Sequence, residues 1–292
     1  MNRMYVIVPL CLLLLFVPIY LWRIQGGSDN LIPINDIYEK IDVKKETTTV
    51  SDAKTDLNSI EELAKHAPVE LLRQSLKRYD ESGISGYTCT FVMHEKVKGT
   101  LKKPEKIRCY FREEPFSILM HWEEGAQRAA ASLFVKGKYD NEMCVRPARL
   151  YEKKILDLGK GYVKRKPNSQ EALDSARYRM TEFGMRYGTQ RTYKAWKALH
   201  DAGVTLQVEY RGTRVVDEVG GRLCHVLTRY CNPPEEEGMT DITLFIDDAT
   251  WFQVGTILKD HDELIGEYYF RDINMNPTFE PKQFEPEILK QY

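Results

Sequence analysis

An excess of either charge is what this sequence most plainly lacks. Its 42 Lys+Arg against 43 Asp+Glu leave a net charge of −1 over 292 residues. A chain without a basic excess is a poor electrostatic partner for nucleic acid, and none is expected. Cysteine is scarce. Six residues are too few to build a disulfide scaffold, and they show no zinc-site spacing. The common catalytic signatures are missing as well. There is no Gly-x-x-x-x-Gly-Lys-Ser/Thr phosphate loop, no Gly-x-Ser-x-Gly elbow and no Cys-x-x-Cys, and His94-Glu95 lacks the second histidine of a zinc-protease helix. No enzymatic role and no cofactor are expected. The chain has neither collagen nor coiled-coil character, and a single long apolar run excludes a multi-span transporter. With 42% hydrophobic and 29% charged residues it is not a wholly disordered chain either.

The apolar run is Met4–Trp22, which carries no charge. As a helix rising about 1.5 Å per residue it spans roughly 28 Å, close to a hydrocarbon core of about 30 Å. Pro9 and Pro18 are better tolerated in such a helix than in a soluble one. Arg3 precedes the run, and Tyr20 and Trp22 sit at its far edge, where aromatic belts form. A cleaved signal peptide is the alternative, but it wants a shorter core and a small-x-small exit. Here the best cut, after Gly27, has Gln25 at the third position back. Residues 1–26 are thus read as an anchor or signal sequence, 27–57 as a polar tether and 58–292 as the folded domain. That domain is expected outside the cytoplasm, on the periplasmic side, and secreted if the leader is cut.

Periodicity organises the rest. A helix starts near Asn58-Ser59, carries a stripe of Leu63, Val69, Leu72 and Leu76, and is interrupted at Pro68. The period then becomes two: Tyr87, Cys89, Phe91 and Met93 alternate with Thr88, Thr90, Val92 and His94. Ile107–Arg112 and Phe116–Trp122 continue the pattern, which predicts strands with one dry face. Further strands are predicted over Ala130–Val135, Met143–Arg146 and Tyr151–Leu156. A loop follows over 157–168. Helices are predicted from Ser169 to about Met180 and from Thr189 to Ala202. Strands return around Val204–Arg211, Leu223–Cys231, Ile242–Asp247, Phe252–Leu258 and Tyr268–Phe270, and the tail from Asn274 is expected to be irregular. About eleven half-buried strands with helices only at the start and in the middle imply an α+β fold. It would be a single curved antiparallel sheet, an open β-barrel, with helices on the concave face, preceded by one N-terminal membrane helix.

Gly221-Arg222, Ile246-Asp247-Asp248, Tyr268-Tyr269-Phe270 and Asn274-Met275-Asn276-Pro277 leading to Phe284 give the C-terminal run a cadence. It resembles the periplasmic lipoprotein-carrier (LolA/LolB-like) superfamily. The stretches from His66 to Trp122 and from Arg177 to Leu199 resemble a bacterial domain family of unknown function placed beside those carriers. The resemblance implies an open barrel closed by a helical lid around an apolar cavity that takes acyl chains. The anchor and long tether depart from a freely diffusing carrier, so a tethered receptor or sensor fits better than a shuttle.

The expected lining of such a cavity is Tyr87, Phe91, Met93, Ile107, Phe111, Ile118, Met120 and Trp122, with Val208, Leu244, Val254, Tyr268 and Phe270 from the second half. Each buried CH₂ of a bound chain would contribute about 0.8 kcal/mol. A solidly filled core is the competing reading of the same residues. The expected partner is a lipid or an acylated protein, with the membrane engaged through the N-terminal helix. Binding of a membrane protein by an envelope sensor is the alternative. Cys89 and Cys109 face each other across a turn as either a disulfide or two buried thiols. Cys224 and Cys231 have opposite parity on one strand and cannot pair there. Gly159-Lys160-Gly161 with Lys164, Arg165 and Lys166 is a basic loop suited to anionic headgroups or simply to water. His121 with Glu123 and Glu124, and His261 with Asp260, Asp262 and Glu263, are candidate metal or acid–base clusters, the second of which reads rather as a solvated hairpin tip.

Overall fold

The structure, a computed structural model, describes residues 59–149 and 159–292. The expected anchor, the tether and the strand expected over 151–156 lie outside them. Among the described residues no helix is long and apolar enough to cross a membrane.

Helix α1 (Ile60–His66) opens where the Ser59 hydroxyl accepts the Glu62 N–H at 3.1 Å. Glu61 and Glu62 lie in its first turn and Lys65 and His66 in its last, the arrangement that suits the helix dipole. Pro68 has no N–H to continue it and instead starts α2 (Pro68–Glu81), as proline does at a first helical position. Together α1 and α2 bury Ile60, Leu63, Ala64, Leu71, Leu72 and Tyr79.

The strands are β1 (Gly86–Val97), β2 (Thr100–Leu101), β3 (Glu105–Arg112), β4 (Ser117–Glu124), β5 (Ala129–Val135), β6 (Met143–Pro147) and β7 (Val163–Arg165), then β8 (Gln207–Val216), β9 (Arg222–Tyr230), β10 (Asp241–Asp247), β11 (Gln253–Asp260) and β12 (Glu263–Met275). Between the two series come α3 (Gln170–Leu173) and α4 (Met185–Asp201). All the strands form one sheet in the order β7-β6-β5-β4-β3-β1-β12-β11-β10-β9-β8, with β2 paired to β1. Each half is a meander, and the halves join where the first long strand pairs with the last, Phe91 opposite Phe270 and Met93 opposite Tyr268. Register shifts interrupt several ladders, for instance between Thr88 and Thr90 and between Tyr210 and Thr213. Such bulges bend the strands and let the sheet curve.

Three expectations need correction. The helix expected from Ser169 to Met180 is a single turn, capped by Ser169 as anticipated. It is followed by an irregular segment with a 3₁₀ turn at Met180–Glu182. The next helix begins four residues earlier than expected, at Met185, because Gly184 adopts φ +126° and turns the chain onto the sheet. The basic loop is partly a strand. Lys164 and Arg165 lie on β7 and pair with Asp140 and Glu171, each at 2.6 Å, so two of its cations are already matched by carboxylates.

The one-dry-face rule also fails on one half. Leu119, Ala131, Leu133, Val135 and Cys144 form a second buried cluster with Phe284 and Leu289. The C-terminal tail, including a 3₁₀ helix at Pro286–Gln291, lies on the side of β4–β6 away from the helices. Arg112 stacks over Phe284 at 4.6 Å, and His121 stacks on Tyr292 at 4.2 Å. Here both sheet faces are dry, which is why β5 reads as a nearly continuous apolar run.

Candidate functional site

The registers place the expected lining residues on one face. Phe91 stands opposite both Phe270 and Ile107, Ile107 opposite Trp122, and Tyr87 opposite Phe111, which in turn faces Ile118. Met120, Leu244, Val254 and Tyr268 share this concave side and are buried. Met93 and Trp122 are half-buried at one end, and Val208 is half-buried on the edge strand β8.

Aromatic rings make the floor. Phe91 and Phe270 have centroids 4.9 Å apart, and Tyr87 and Phe111 4.8 Å. What lies on this floor was not legible from alternation. Residues 174–184 cross it as a strap. Phe183 wedges among Phe91 at 5.2 Å, Phe270 at 5.6 Å and Phe111 at 6.2 Å. Tyr178 lies 5.5 Å from Tyr268, and the Ser132 hydroxyl donates to the Met180 sulfur at 3.4 Å. Beyond the strap, α4 adds Met185, Tyr187 and the fully buried Trp196. Strap and helix side chains therefore fill the concave face in this conformation. Gly184 makes the close approach possible, since a Cβ there would sit 3.0 Å from the Tyr87 hydroxyl and 3.6 Å from the Phe111 ring. A glycine beside a phenylalanine just ahead of an amphipathic helix was the one sequence signal for this wedge.

The strap is held mainly by side chains. Among the described residues its backbone-to-backbone hydrogen bonds are local, such as Glu182 N–H to the Arg179 carbonyl at 2.9 Å. One end is latched to the sheet. The buried Glu95 carboxylate accepts the Arg177 N–H at 3.2 Å and the Tyr268 hydroxyl at 2.7 Å. The Arg177 guanidinium reaches the Lys96 carbonyl and the Glu237 carboxylate. Nearby, Glu105 accepts from the Trp122 indole at 2.6 Å and from Gln127 at 3.2 Å. Burial raises both carboxyls above the ordinary glutamate value, against the lowering effect of these hydrogen bonds.

The other sequence candidates are dispersed. His261 bonds Asp260 at 2.7 Å on an exposed hairpin. Among the described residues no group of three or more His, Cys, Asp or Glu is placed to hold a metal ion. Cys89 and Cys109 are directly opposite each other. They and Cys144, Cys224 and Cys231 are buried free thiols. Burial raises the Cys109 thiol, and pushes Cys144 up to about 11 and Cys224 and Cys231 up to about 12. The thiolate is the reactive form. Cys109, Cys144, Cys224 and Cys231 are therefore expected to resist iodoacetamide at pH 8 in the folded chain and to react after unfolding, as read by peptide mass spectrometry. A Cys89–Cys109 disulfide would instead leave that pair unmodified until reductant is added.

The profile of a protein family of unknown function, DUF1571, matches residues 84–291. No curated protein matches by sequence. Solved structures similar to the chain include an uncharacterised conserved protein from Thermus thermophilus, 9% identical, covering 73% of this chain and 91% of that one, with a TM-score of 0.40. The lipoprotein LppX of Mycobacterium tuberculosis is 14% identical over 73% of this chain and 97% of that one, with a TM-score of 0.38. A LolA superfamily protein from Nitrosomonas europaea is 7% identical over 73% and 96%, with a TM-score of 0.29.

Proposed function

The chain belongs to the DUF1571 family of proteins of unknown function, and we propose that it is a non-catalytic, extracytoplasmic lipid-binding protein. It is tethered through residues 4–22 and takes a lipid or lipoprotein acyl chain onto the concave face of its sheet. The observation that carries this reading is the division between floor and cover. The floor is a hydrogen-bonded sheet with Phe91, Phe111, Tyr268 and Phe270 buried on it. Its cover at that point is a strap whose backbone-to-backbone hydrogen bonds, among the described residues, are local, with one backbone N–H, that of Arg177, bonded to the Glu95 side chain on the sheet. Segments poor in regular hydrogen bonding open at lower free energy than the sheet beneath them. Lifting residues 174–184 withdraws Phe183, Met180 and Tyr178 together and exposes an aromatic trough, while the ladders stay intact. An acyl chain would replace the apolar contacts that the strap gives up, so the two states differ by much less than the cost of baring the trough to water. The Glu95 latch sets the strap's resting position.

Native mass spectrometry of the full chain, extracted from membranes in mild detergent, tests the reading. A lipid adduct that survives detergent removal is expected. A bare mass from every preparation, together with no uptake of added phospholipid, would overturn it.

A second reading, an envelope sensor that binds a protein partner, is favoured by one observation. Val215 and Leu223 face each other across the β8–β9 hairpin and are 62% and 45% exposed, on the edge of the sheet where a partner could dock.

A further inference from the structure

On the convex side of the β8–β11 half, away from the strap, the sheet carries a groove of about 230 Å³. Pockets that bury drug-sized molecules run roughly 300–1,000 Å³, so this one suits something smaller. Arg211, Arg214, Thr228, Asp241, Thr243 and Lys259 are among the residues that line it. The register brings them together. Thr228 stands opposite Thr243 on the neighbouring strand, and Asp241 opposite Lys259 on the next. The bulge between Tyr210 and Thr213 carries Arg211 on the edge strand.

The charges in this groove are unevenly matched. Arg211 is satisfied, 3.2 Å from the Glu209 carboxylate and bonded to the Tyr230 hydroxyl. Arg214 is not. Its guanidinium lies 5.3 Å from the Phe245 ring centroid and, among the described residues, has no carboxylate within ion-pair distance. Lys259 likewise has none, although Asp241 is its cross-strand neighbour. The floor offers a donor as well. The Thr228 and Thr243 hydroxyls lie 2.9 Å apart. Each hydroxyl has one hydrogen, so when one donates to the other the second still has a hydrogen to give. Asp241 is the one carboxylate in the lining, and it accepts from the Thr240 hydroxyl at 3.1 Å. A cleft with free N–H and O–H donors and two cations that, among the described residues, have no carboxylate within ion-pair distance is completed by a ligand that brings several acceptor oxygens and negative charge.

We propose that this groove binds a compact oxyanion of the phosphate class, held between Arg214 and Lys259 over the Thr228–Thr243 hydroxyl pair. The site does not depend on the lipid-binding reading, since the groove and the strap lie on opposite faces of the sheet. The anion is either free in solution or carried on a lipid headgroup, and the chemistry of recognition is the same for both.

The test follows the side-chain Nε–H resonances of arginine-labelled full chain in neutral detergent. Inorganic phosphate is titrated in at constant ionic strength. The Arg214 signal, assigned by its loss in Arg214→Ala, is expected to shift saturably. The apparent affinity should weaken about tenfold, or about 1.4 kcal/mol, in Lys259→Ala. Unchanged thermal melting of the variants establishes that they still fold. A second arm replaces phosphate by soluble short-chain phosphatidylglycerol, with phosphatidylcholine as control. Saturation by phosphatidylglycerol with competition by phosphate assigns the site to a headgroup. Saturation by phosphate alone assigns it to a free anion. A linear response to both, or a Lys259→Ala chain that titrates like the parent, overturns the proposal.

Discussion

Replacing Phe183 by alanine is expected to lower stability by about 3 kcal/mol, the low end of what truncating a buried phenylalanine costs. The same change is expected to let the chain bind a small naphthyl fluorophore that the parent excludes. The ring is 8% exposed and touches three others, on β1, β3 and β12. Those strands are tied to one another by hydrogen-bonded ladders and cannot close into the vacated space. Apolar cavities left in a rigid surround stay dry and take up apolar ligands. The cost sits at the low end because the strap, unlike the sheet, can settle partway. Urea unfolding gives the stability change and probe fluorescence gives the cavity. A loss of stability without probe binding would mean that the strap has collapsed onto the floor. The concave face would then be a fixed core, and the lipid reading would lose its main support.

Replacing Asp247 by asparagine is expected to cost a similar amount, about 3 kcal/mol, for a different reason. Asp247 ends β10 at 2% exposure. Its carboxylate accepts two hydrogen bonds from Arg222, at 2.8 and 2.9 Å, and two from Thr250, at 3.0 Å from N–H and 2.6 Å from the hydroxyl. Breaking a buried ion pair from one side costs about 3–5 kcal/mol, and the partly exposed Arg222 places this pair at the lower bound. The pH dependence gives a second check. Burial works to raise this carboxyl, but the bonds from Arg222 and Thr250 outweigh it and hold it below the ordinary value of 3.8. A group lowered on folding contributes stability that is fully present above its unfolded pKa and is lost as pH falls through the folded one. The gap between parent and Asp247→Asn should therefore be constant near neutrality and shrink below about pH 4. Equal acid sensitivity of the two chains in urea titrations would rule out this role for the pair.

Much of the sheet is readable from residue order because strand periodicity is local. Tyr87, Phe91 and Met93 occupy alternate positions with mostly polar neighbours, so their common face follows from the pleat alone. So does the common face of Ile107 and Phe111, or of Ile118 and Met120. The break at Pro68 and the cap at Ser59 are equally local, since each depends on one residue's backbone chemistry. Phe183 is a different case. It sits in a stretch with neither period, and its partners are contributed by strands far away in sequence in both directions. The second dry face of β4–β6 was missed for a related reason. Leu119 and Leu133 break the alternation, but only the docked tail, with Phe284 and Leu289, explains why.

Residue order by itself determined that this chain makes a one-sheet α+β domain behind an apolar N-terminal run. It also determined which side chains share a face, because period, caps and breakers act over a few residues. Tertiary structure alone decided that β1 closes against β12, that a strap and not an empty space lies on the aromatic floor, and that Arg214 and Lys259 border one groove. Those facts arise from pairings between segments far apart in the chain, where the free energy of a contact depends on what the rest of the fold brings to it.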